Sequence, residues 1–349
     1  MVSLLLSILI LSAADSASIG PRWTSEQAAE WYREQGWLVG ANFIPSTAVN
    51  QLEMWQAETY DTSTIDRELG FAEGAGMNVM RVFLHDLAWQ ADSAGFKSRV
   101  GRFLGIAAKH RIRILFVIFD DCWYPDAAIG KQPAPKPGVH NSGWVRSPNA
   151  ATHNDPGRWG YLERYVKDII STFGRDGRVF MWDLYNEPGN SGYNERSLPL
   201  LKEVFRWARA ASPTQPLTSG LWYDHKELNA FQISNSDVIT FHNYGDTTSL
   251  KQEILNLQKL GRPIVCTEYM ARTRHSTFQT HLPIFKQYDV GAINWGLVSG
   301  KTNTIYEWDK PVPDGSEPMI WFHDVFRKNG NPYRPEEVKF IREITRNAE

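Results

Sequence analysis

The sequence predicts a (β/α)8 TIM barrel, an α/β fold in which eight parallel strands alternate with helices, together with an extra N-terminal helix and long βα loops that form a cleft. Short apolar runs recur eight times along the chain, and segments with helical spacing separate most of them. The length of 349 residues suits one barrel of about 250 residues with loop insertions. We therefore expect a single domain over residues 19–349.

The N-terminus has the pattern of a signal peptide. An apolar run, Leu4–Leu11, is followed by small residues through Ser18, and this run is too short to span a bilayer. Its first residues lack the usual Lys or Arg. We expect residues 1–18 to be a signal peptide that is cleaved between Ala14 and Ser18. The mature protein should then be secreted or periplasmic and free of the membrane.

Each candidate strand is a short apolar run followed by a polar or Gly/Pro-marked turn and then a helical pattern, as in βα units. A segment with helical spacing, Ser25–Gln35, precedes the first run and should cover the bottom or the side of the barrel. In chain order the runs are Trp37–Phe43, Val79–Phe83, Ile112–Phe119, Val179–Tyr185, Leu217–Leu221, Val238–Phe241, Pro263–Thr267 and Gly291–Trp295.

Amphipathic helices are expected between these strands. The segment Ser249–Leu260 shows why, because Leu250, Ile254 and Leu257 keep the i, i+4, i+7 spacing of one buried face. The final segment, Pro335–Arg346, is interpreted as the last barrel helix. The other candidate helices are Thr64–Gly76, Arg102–His110, Tyr161–Phe173 and Leu198–Ala211.

Two long loops follow strands. One covers Asp120–Asp155 and is rich in Pro and Gly, and the other covers Val298–Pro318. TIM barrels carry their chemistry on the loops that follow the strands. We therefore expect these two loops to form the rim of the cleft.

Charge and composition indicate a neutral ligand. A net charge of −2 and a pI near 6.5 argue against nucleic acid as a partner. Aromatic residues make up 13% of the chain, with 14 Trp, and flat rings of this kind cover the apolar faces of sugars. The two cysteines, Cys122 and Cys266, provide no disulfide framework. We expect a carbohydrate substrate, a monomer, and neither a cofactor nor a metal.

Two glutamates lie at the ends of strand-like runs. Glu187 follows the fourth run and Pro188-Gly189 then forces a turn, whereas Glu268 ends the seventh run. In a barrel such strand ends can face one another across the axis. Hydrolysis of a glycosidic bond needs two carboxyls, one to protonate the leaving oxygen and one to stabilise or trap the charge at the anomeric carbon. A single glutamate at a strand end is more often a solvated loop residue, but two in register indicate catalysis. Asn186 can hydrogen-bond a substrate hydroxyl.

On these residues the sequence resembles the retaining glycoside hydrolases of clan A, most closely family 5 and its neighbours. Clan A proteins carry an acid/base glutamate in an Asn-Glu-Pro motif after strand four and a nucleophile after strand seven, and Asn186-Glu187-Pro188 and Glu268 match these places. The resemblance covers the whole barrel. The further matches are the Arg after strand two, the His-x-Tyr near strand six and the Trp at strand eight, here Arg81, His242-Asn243-Tyr244 and Trp295.

The resemblance implies a role for each matched residue. Glu187 would be the acid/base, and Glu268 the nucleophile of a double displacement through a covalent glycosyl-enzyme intermediate. Arg81 and Tyr244 would donate to Glu268 and keep it ionised. His242 would contact the substrate or orient the acid. Packing alone remains the alternative for Arg81, His242 and Tyr244.

One position departs from the family pattern. Family 5 proteins often have a His at the end of strand three, where this chain has Asp120 and Asp121. Each of these two acids has two interpretations, namely that it binds sugar hydroxyls or that it caps a turn. His85 and Asp86, which follow the second strand, have the same two interpretations.

The tryptophans are the candidates for stacking on sugar rings. By the resemblance, Trp295 would be the floor under the sugar at the cleavage point. Further tryptophans lie on the predicted rim loops, where local packing is the alternative for each, and these are Trp123, Trp144, Trp222 and Trp308.

Two other function classes fit the fold less well. A non-catalytic glycan-binding barrel would be free to lose one carboxylate, and this chain keeps both. A metal-dependent hydrolase would need several His at strand ends, and Asn42-Phe43-Ile44 after the first strand offers none. The interpretation is therefore a secreted retaining β-glycosidase acting on a β-linked polysaccharide or its oligosaccharides. The sugar stays open, and whether cleavage is internal or terminal depends on how the two long loops fold.

Overall fold

The computed structural model of the protein describes residues 20–346, so the predicted signal peptide lies outside the described residues. No helix in this range is both long and apolar enough to cross a membrane. Eight parallel strands are present, namely β1 (Val39–Asn42), β2 (Val79–Phe83), β3 (Arg113–Asp120), β4 (Val179–Asn186), β5 (Leu217–Thr218), β6 (Ile239–His242), β7 (Ile264–Glu268) and β8 (Gly291–Asn294).

The strands form one sheet in the order β5-β4-β3-β2-β1-β8-β7-β6. A parallel bridge between Leu221 and Phe241 closes the sheet between β5 and β6. In this bridge the backbone N–H of Leu221 donates to the carbonyl of Thr240 at 2.9 Å, and the N–H of His242 donates to the carbonyl of Leu221 at 2.8 Å. The predicted (β/α)8 barrel is therefore confirmed.

The fifth strand is shorter than predicted, because side chains replace its ladder partners after Thr218. The backbone N–H of Ser219 donates to the hydroxyl of Ser236 at 3.2 Å, and the amide of Gln232 donates to the carbonyl of Gly220 at 2.7 Å. The chain therefore leaves the sheet and rejoins it only at Leu221.

Helices follow the strands as the sequence predicted. The predicted segment Arg102–His110 proves to be the end of a longer helix that begins at Ser93, because the side chain of Asp92 accepts from the N–H of Gly95 at 2.9 Å and caps its first turn. The helices are α1 (Ser25–Gln35), α2 (Gln51–Trp55), α3 (Thr62–Gly74), α4 (Asp86–Ala91), α5 (Ser93–Lys109), α6 (Ala150–His153), α7 (Trp159–Phe173), α8 (Leu198–Ala210), α9 (Lys226–Asn235), α10 (Thr247–Gln258), α11 (Phe278–Gln287) and α12 (Pro335–Arg346).

Helix α1 closes the bottom of the barrel. Thr24 forms a capping box with Gln27 at its start. Trp31 stacks on Phe180 of β4 with ring centroids 6.0 Å apart, and Arg113 at the start of β3 donates to the carbonyl of Gln35 at 2.8 Å. The opposite end, where the strands finish, is thus the open mouth.

The core has two layers. Between the sheet and the helices, α7 buries one face that includes Leu162, Val166 and Ile169. Inside the barrel the lower levels are apolar, and their side chains include Leu38, Val79, Leu115, Val117, Phe180, Val238, Val265 and Ile293. This filled interior places the polar side chains at the upper ends of the strands.

The two long loops are joined to each other. The N–H of Asn141 donates to the carbonyl of Thr302 at 2.8 Å, and the amide of Asn303 donates to the carbonyl of Lys136 at 2.8 Å. The ammonium of Lys301 lies 2.6 Å from a carboxylate oxygen of Glu53, in the short helix α2 within the connection that follows β1. Three loops therefore form one continuous wall above β1, β2 and β8.

Candidate active site

A layer of polar side chains crosses the barrel at the carboxyl ends of the strands. Because parallel strands end on the same side, residues at equal depth on adjacent strands are neighbours in this layer. A register shift between Phe241 and His242 alters the pairing of β6 with β7. The paired residues of the layer are Asn42 with Arg81, Asp120 with Asn186, and His242 with Glu268.

Arg81 is the fully buried cation of this layer. Its Nη1 atom donates to Oε1 of Glu268 and to Oδ1 of Asn42, both at 2.8 Å. Its Nη2 atom donates to Oδ2 of Asp183 at 2.8 Å and to Oδ1 of Asn186 at 2.6 Å. A buried charge requires such partners. Arg81 therefore does more than pack, since it contacts the candidate nucleophile directly.

Glu268 accepts one donor on each oxygen. Arg81 donates to Oε1, and the hydroxyl of Tyr244 donates to Oε2 at 2.8 Å. Burial raises the pKa of Glu268 above its ordinary value, while Arg81 and Tyr244 oppose that rise because they stabilise the ionised form. The two contacts that the resemblance implied at this carboxylate are thus present.

Glu187 lies on a strained turn at the end of β4. Its φ of 43° falls in the left-handed region, which residues other than glycine rarely adopt. Asp121 fixes the turn by accepting from the N–H of Gly189 at 2.8 Å. Gly189 has a φ of 90°, and a Cβ there would lie 2.9 Å from the carbonyl oxygen of Asn194. The turn thus depends on a glycine, and it aims the glutamate into the mouth.

The carboxyl of Glu187 has neutral partners. Its Oε1 lies 2.8 Å from Nδ1 of His242, and its Oε2 accepts from the thiol of Cys122 at 3.2 Å and from the amide of Asn190. Burial raises the pKa of Glu187 above its ordinary value. Burial also lowers the pKa of His242 to about 4, so the imidazole is neutral near pH 7. This environment favours a protonated Glu187.

His242 lies between the two glutamates, since its Nδ1 is also 3.4 Å from Oε2 of Glu268. One oxygen of each carboxyl and this nitrogen all lie within 4.8 Å of one another. Such spacing would also suit a metal ion, but the Arg81 guanidinium already supplies a positive charge at Glu268 and would repel a cation. Carboxyls about 5–5.5 Å apart are typical of retaining glycosidases, and inverting enzymes separate them by about 6.5–9.5 Å.

A cleft of about 680 Å³ opens over these carboxyls. Trp295 lines it, packed edge-on against Phe83 at 5.8 Å between ring centroids. Trp222 is held by a hydrogen bond from its indole N–H to the carbonyl of Pro188 at 3.0 Å. The tryptophans predicted for the rim all line this cleft, and they are Trp123, Trp144, Trp222 and Trp308. Asn186, His242 and Tyr244 line it as well.

Asp121 lies behind the wall of the cleft. It is fully buried, and its carboxylate accepts from the hydroxyls of Tyr185 at 2.6 Å and Ser197 at 2.5 Å as well as from Gly189. The expectation that Asp121 binds a sugar hydroxyl is therefore corrected. It caps the turn that carries Glu187.

Asp120 is also buried and does not line the cleft. It accepts from the indole of Trp144 at 2.7 Å and from the amide of Asn186 at 2.9 Å, and burial raises its pKa to about 6. Asp120 therefore orients two cleft residues, and its expected contact with sugar is corrected as well.

His85 and Asp86 have a structural role. Nδ1 of His85 accepts from the N–H of Leu87 at 3.2 Å and caps α4, and Asp86 accepts from Ser147 and Tyr161 at 2.7 and 2.8 Å. His85 therefore caps a helix, whereas Asp86 holds the side chains of Ser147 and Tyr161.

Sequence reasoning did not identify four residues that contact Arg81 or Glu187. Asp183 had a usable signal, because a carboxylate inside the apolar run of β4 must have a buried partner. Asn42 is also a polar residue ending a buried strand. Cys122 and Asn190 had no such signal, since their contacts with Glu187 arise from the path of two loops.

The comparisons agree with this geometry. The sequence model for "Glycosyl hydrolases family 2, TIM barrel domain" matches residues 138–332, which is more than half of the chain. No curated protein sequence matches the chain. The likeness to family 5 is confirmed at the level of the fold, whereas the family whose model matches is family 2.

Solved structures share the fold at low sequence identity. An exo-β-1,4-mannosidase from Opitutaceae bacterium strain TAV5 superposes with a TM-score of 0.62 at 16% identity, over 89% of this chain and 60% of that one. The chain thus spans less than two thirds of that protein. The GH5_18 protein of Streptomyces cattleya, solved with GlcNAc, gives 0.61 at 13% identity, over 90% and 80% of the two chains. An endo-1,4-β-D-mannanase from Thermotoga petrophila RKU-1 gives 0.56 at 15% identity, over 89% and 99%.

The barrel, the two carboxyls at its mouth and the matching family model lead to one assignment. The chain is a glycoside hydrolase and belongs to the glycosyl hydrolase family 2 TIM barrel domain family.

Proposed function

We propose that the protein is a secreted retaining β-glycosidase with Glu268 as the nucleophile and Glu187 as the acid/base. The spacing of the two carboxyls carries the proposal, because an oxygen of each lies within 4.8 Å of the other. The environments support the assignment of roles. Glu268 is paired with the cation of Arg81, whereas the hydrogen-bonding partners of Glu187 are neutral. The signal-peptide pattern of residues 1–18 supports secretion.

The reaction follows from these protonation states. In the first step Glu268 attacks the anomeric carbon while Glu187 donates its proton to the leaving oxygen. In the second step the ionised Glu187 takes a proton from water, and that water displaces Glu268 from the sugar. Both carboxyls then return to their starting states.

We further propose that the enzyme removes a terminal sugar. The leaving group must lie on the side of Glu187, so the sugar that is transferred extends away from it, toward β8 and β1. There the wall formed by the joined loops borders the cleft, and Trp144 and Trp295, which line it, pack edge-on at 5.6 Å between ring centroids. The wall therefore supports the proposal that only one sugar fits between the cleavage point and this end of the cleft.

The other side of the cleft continues. Beyond Trp222 and Tyr223 lies a second cavity of about 460 Å³, whose polar lining includes Asn229, Asn243 and Glu253. A leaving group of several sugars can occupy this space. The proposed substrates are therefore oligosaccharides or polysaccharide chain ends.

The first test is a panel of 4-nitrophenyl β-glycosides and the matching β-linked oligosaccharides. β-Mannosides come first, because two of the similar structures are described as a mannosidase and a mannanase. Product sizing should show release of single sugars, and proton NMR should show that the first product has the β configuration. Release of internal fragments would contradict terminal cleavage, and an α product would contradict retention.

Azide rescue tests the two roles separately. With Glu187→Ala, azide should restore turnover of an activated aryl glycoside and yield the β-glycosyl azide, because the glycosyl-enzyme still forms. With Glu268→Ala, turnover of natural substrate should be abolished, and azide should not generate the retained product. A β-glycosyl azide from the Glu268 variant would mean that the roles are exchanged.

A further inference from the structure

The two oxygens of Glu187 have different surroundings. Oε2 accepts two hydrogen bonds, from the thiol of Cys122 at 3.2 Å and from the amide of Asn190. Oε1 faces only Nδ1 of His242 among the described residues, at 2.8 Å. An oxygen that already accepts two donors is a poor place for a proton, because the proton would point at another hydrogen.

The position of Cys122 is itself fixed by the site. Its N–H donates to Oδ1 of Asp120 at 3.0 Å, and its sulfur accepts from the amide of Asn186 at 3.4 Å. Among the hydrogen bonds of the thiol, the acceptor of its S–H is Oε2 of Glu187 at 3.2 Å, and the carboxylate of Asp120 lies nearby as an alternative acceptor. Burial, together with the charges of Asp120 and Glu187, raises the pKa of this thiol well above its ordinary value. Cys122 is therefore a neutral donor near pH 7 and not a thiolate.

We propose that the thiol of Cys122, with the amide of Asn190, confines the catalytic proton of Glu187 to Oε1. Cys122 is thus a positioning residue, which acts on the leaving oxygen through Glu187. The inference rests on the proposed role of Glu187 as the acid/base. The neutral imidazole of His242 fits both states, since Nδ1 can accept from a protonated Oε1 and, as the other tautomer, donate to an ionised one.

Several titratable or charged groups face Glu187 from other elements, and any pH effect must be separated from theirs. They are Arg81 on β2, Cys122 after β3, His242 on β6, Tyr244 after β6 and Glu268 on β7. Asp120 also neighbours Cys122, and it keeps its contact with the backbone N–H of residue 122 in either variant, because that contact does not depend on the side chain. A change in the basic limb of the pH profile can then be assigned to Glu187.

The test compares Cys122→Ser, which keeps a donor, with Cys122→Val, which keeps similar volume without one. Loss of the donor should raise the pKa of Glu187, so the basic limb should move to higher pH in the Val variant. For a β-glycoside with a poor leaving group, kcat/KM should fall about tenfold, which is part of the contribution of general acid catalysis. For the 2,4-dinitrophenyl glycoside, which leaves without a proton, it should change little.

The Ser variant should keep the wild-type limb and the wild-type rate on both substrates. Asn190→Ala, at a partly exposed position, removes the second donor and should shift the limb in the same direction even if the Val variant folds poorly. Equal losses on the two substrates with an unmoved basic limb would overturn the inference. Glu187→Ala is measured in parallel, because equal losses in that variant would instead refute Glu187 as the acid.

Discussion

The guanidinium of Arg81 reaches Glu268 from the opposite side of the barrel, with Nη1 2.8 Å from Oε1. The two residues are on β2 and β7, which are not neighbours in the sheet. The same guanidinium contacts Asp183 on β4 and Asn42 on β1, so four strands meet at one cation. The charge of the proposed nucleophile, Glu268, is therefore controlled from across the axis.

Removal of this cation should disturb one limb of the pH profile. In Arg81→Met the ionised form of Glu268 loses its partner, so its pKa should rise and the acidic limb should move to higher pH by about 1–3 units, with a large loss of rate. The variant is best made with Asp183→Asn, because Asp183 would otherwise be left buried and unpaired. Asp183→Asn alone is the control. An unchanged acidic limb with a near-normal rate would show that Arg81 is structural.

The contact between the long loops should affect binding more than stability. The side chain of Asn303 donates to the carbonyls of Lys136 and Val139 at 2.8 and 3.2 Å, and its φ of 59° is one that glycine adopts freely. Asn303→Gly should therefore raise KM for an aryl glycoside about two- to tenfold through loss of preorganisation. Asn329→Gly, at an exposed turn, is the matched control. An unaltered KM in Asn303→Gly would show that the contact between the two long loops does not affect substrate binding.

Asp324 should make the protein less stable as the pH rises. Burial raises the pKa of this carboxyl from its ordinary value to about 7, so the folded state binds the proton more tightly than the unfolded state. The protonated carboxyl contributes up to about 4 kcal/mol to the free energy of unfolding. This contribution is fully present below about pH 4 and is lost as the pH rises through about 7. In Asp324→Asn this loss should disappear from urea unfolding curves. The control is Asp126→Asn at an exposed position, which should keep the wild-type dependence of the unfolding free energy on pH. The same wild-type dependence in Asp324→Asn would show that the Asp324 carboxyl is ionised in the folded state.

The buried ion pair of Arg272 with Glu337 should be important for folding. The two groups lie 2.6 Å apart, and Arg272 also donates to the carbonyls of Trp321, His323 and Asp324. Arg272→Met should lower the free energy of unfolding by about 3–5 kcal/mol, because the buried Glu337 would keep only the longer contact with Arg334, at 3.6 Å. The comparison is Lys339→Met, which removes an exposed pair on the same helix and should cost less than about 1 kcal/mol. Similar unfolding curves for both variants would contradict this account.

Local patterns were sufficient for most of the barrel. Every predicted strand is present, because each apolar run is bounded by turn residues and followed by a helical face. The two errors have different causes. Gln232 and Ser236 end β5 early through contacts that the local pattern does not show, whereas Asp92, directly before α5, is a local capping signal that the predicted start did not use.

The residues at the strand ends were predictable from the sequence, whereas the contacts made by the loops were not. Glu187 and Glu268 come together because strand order alone places them at one mouth. The expected sugar contacts of Asp120 and Asp121 were wrong, since sequence does not show whether a carboxylate after a strand faces the cleft or the residues behind it. The contact of Cys122 with Glu187 depends on the direction that the chain takes directly after β3, which the sequence does not show.

The sheet closes unevenly, so the two sides of the barrel mouth should differ in rigidity. β3 and β4, each eight residues long, form an extended ladder beneath Glu187, whereas β5 is two residues long and meets β6 through one bridge below Trp222 and Tyr223. Backbone amides at this seam should exchange with deuterium sooner than those of β3 and β4. If Glu187 is the acid and the leaving group binds above β5 and β6, as proposed, the proton donor stands on the rigid part of the barrel and the leaving group on the more deformable part.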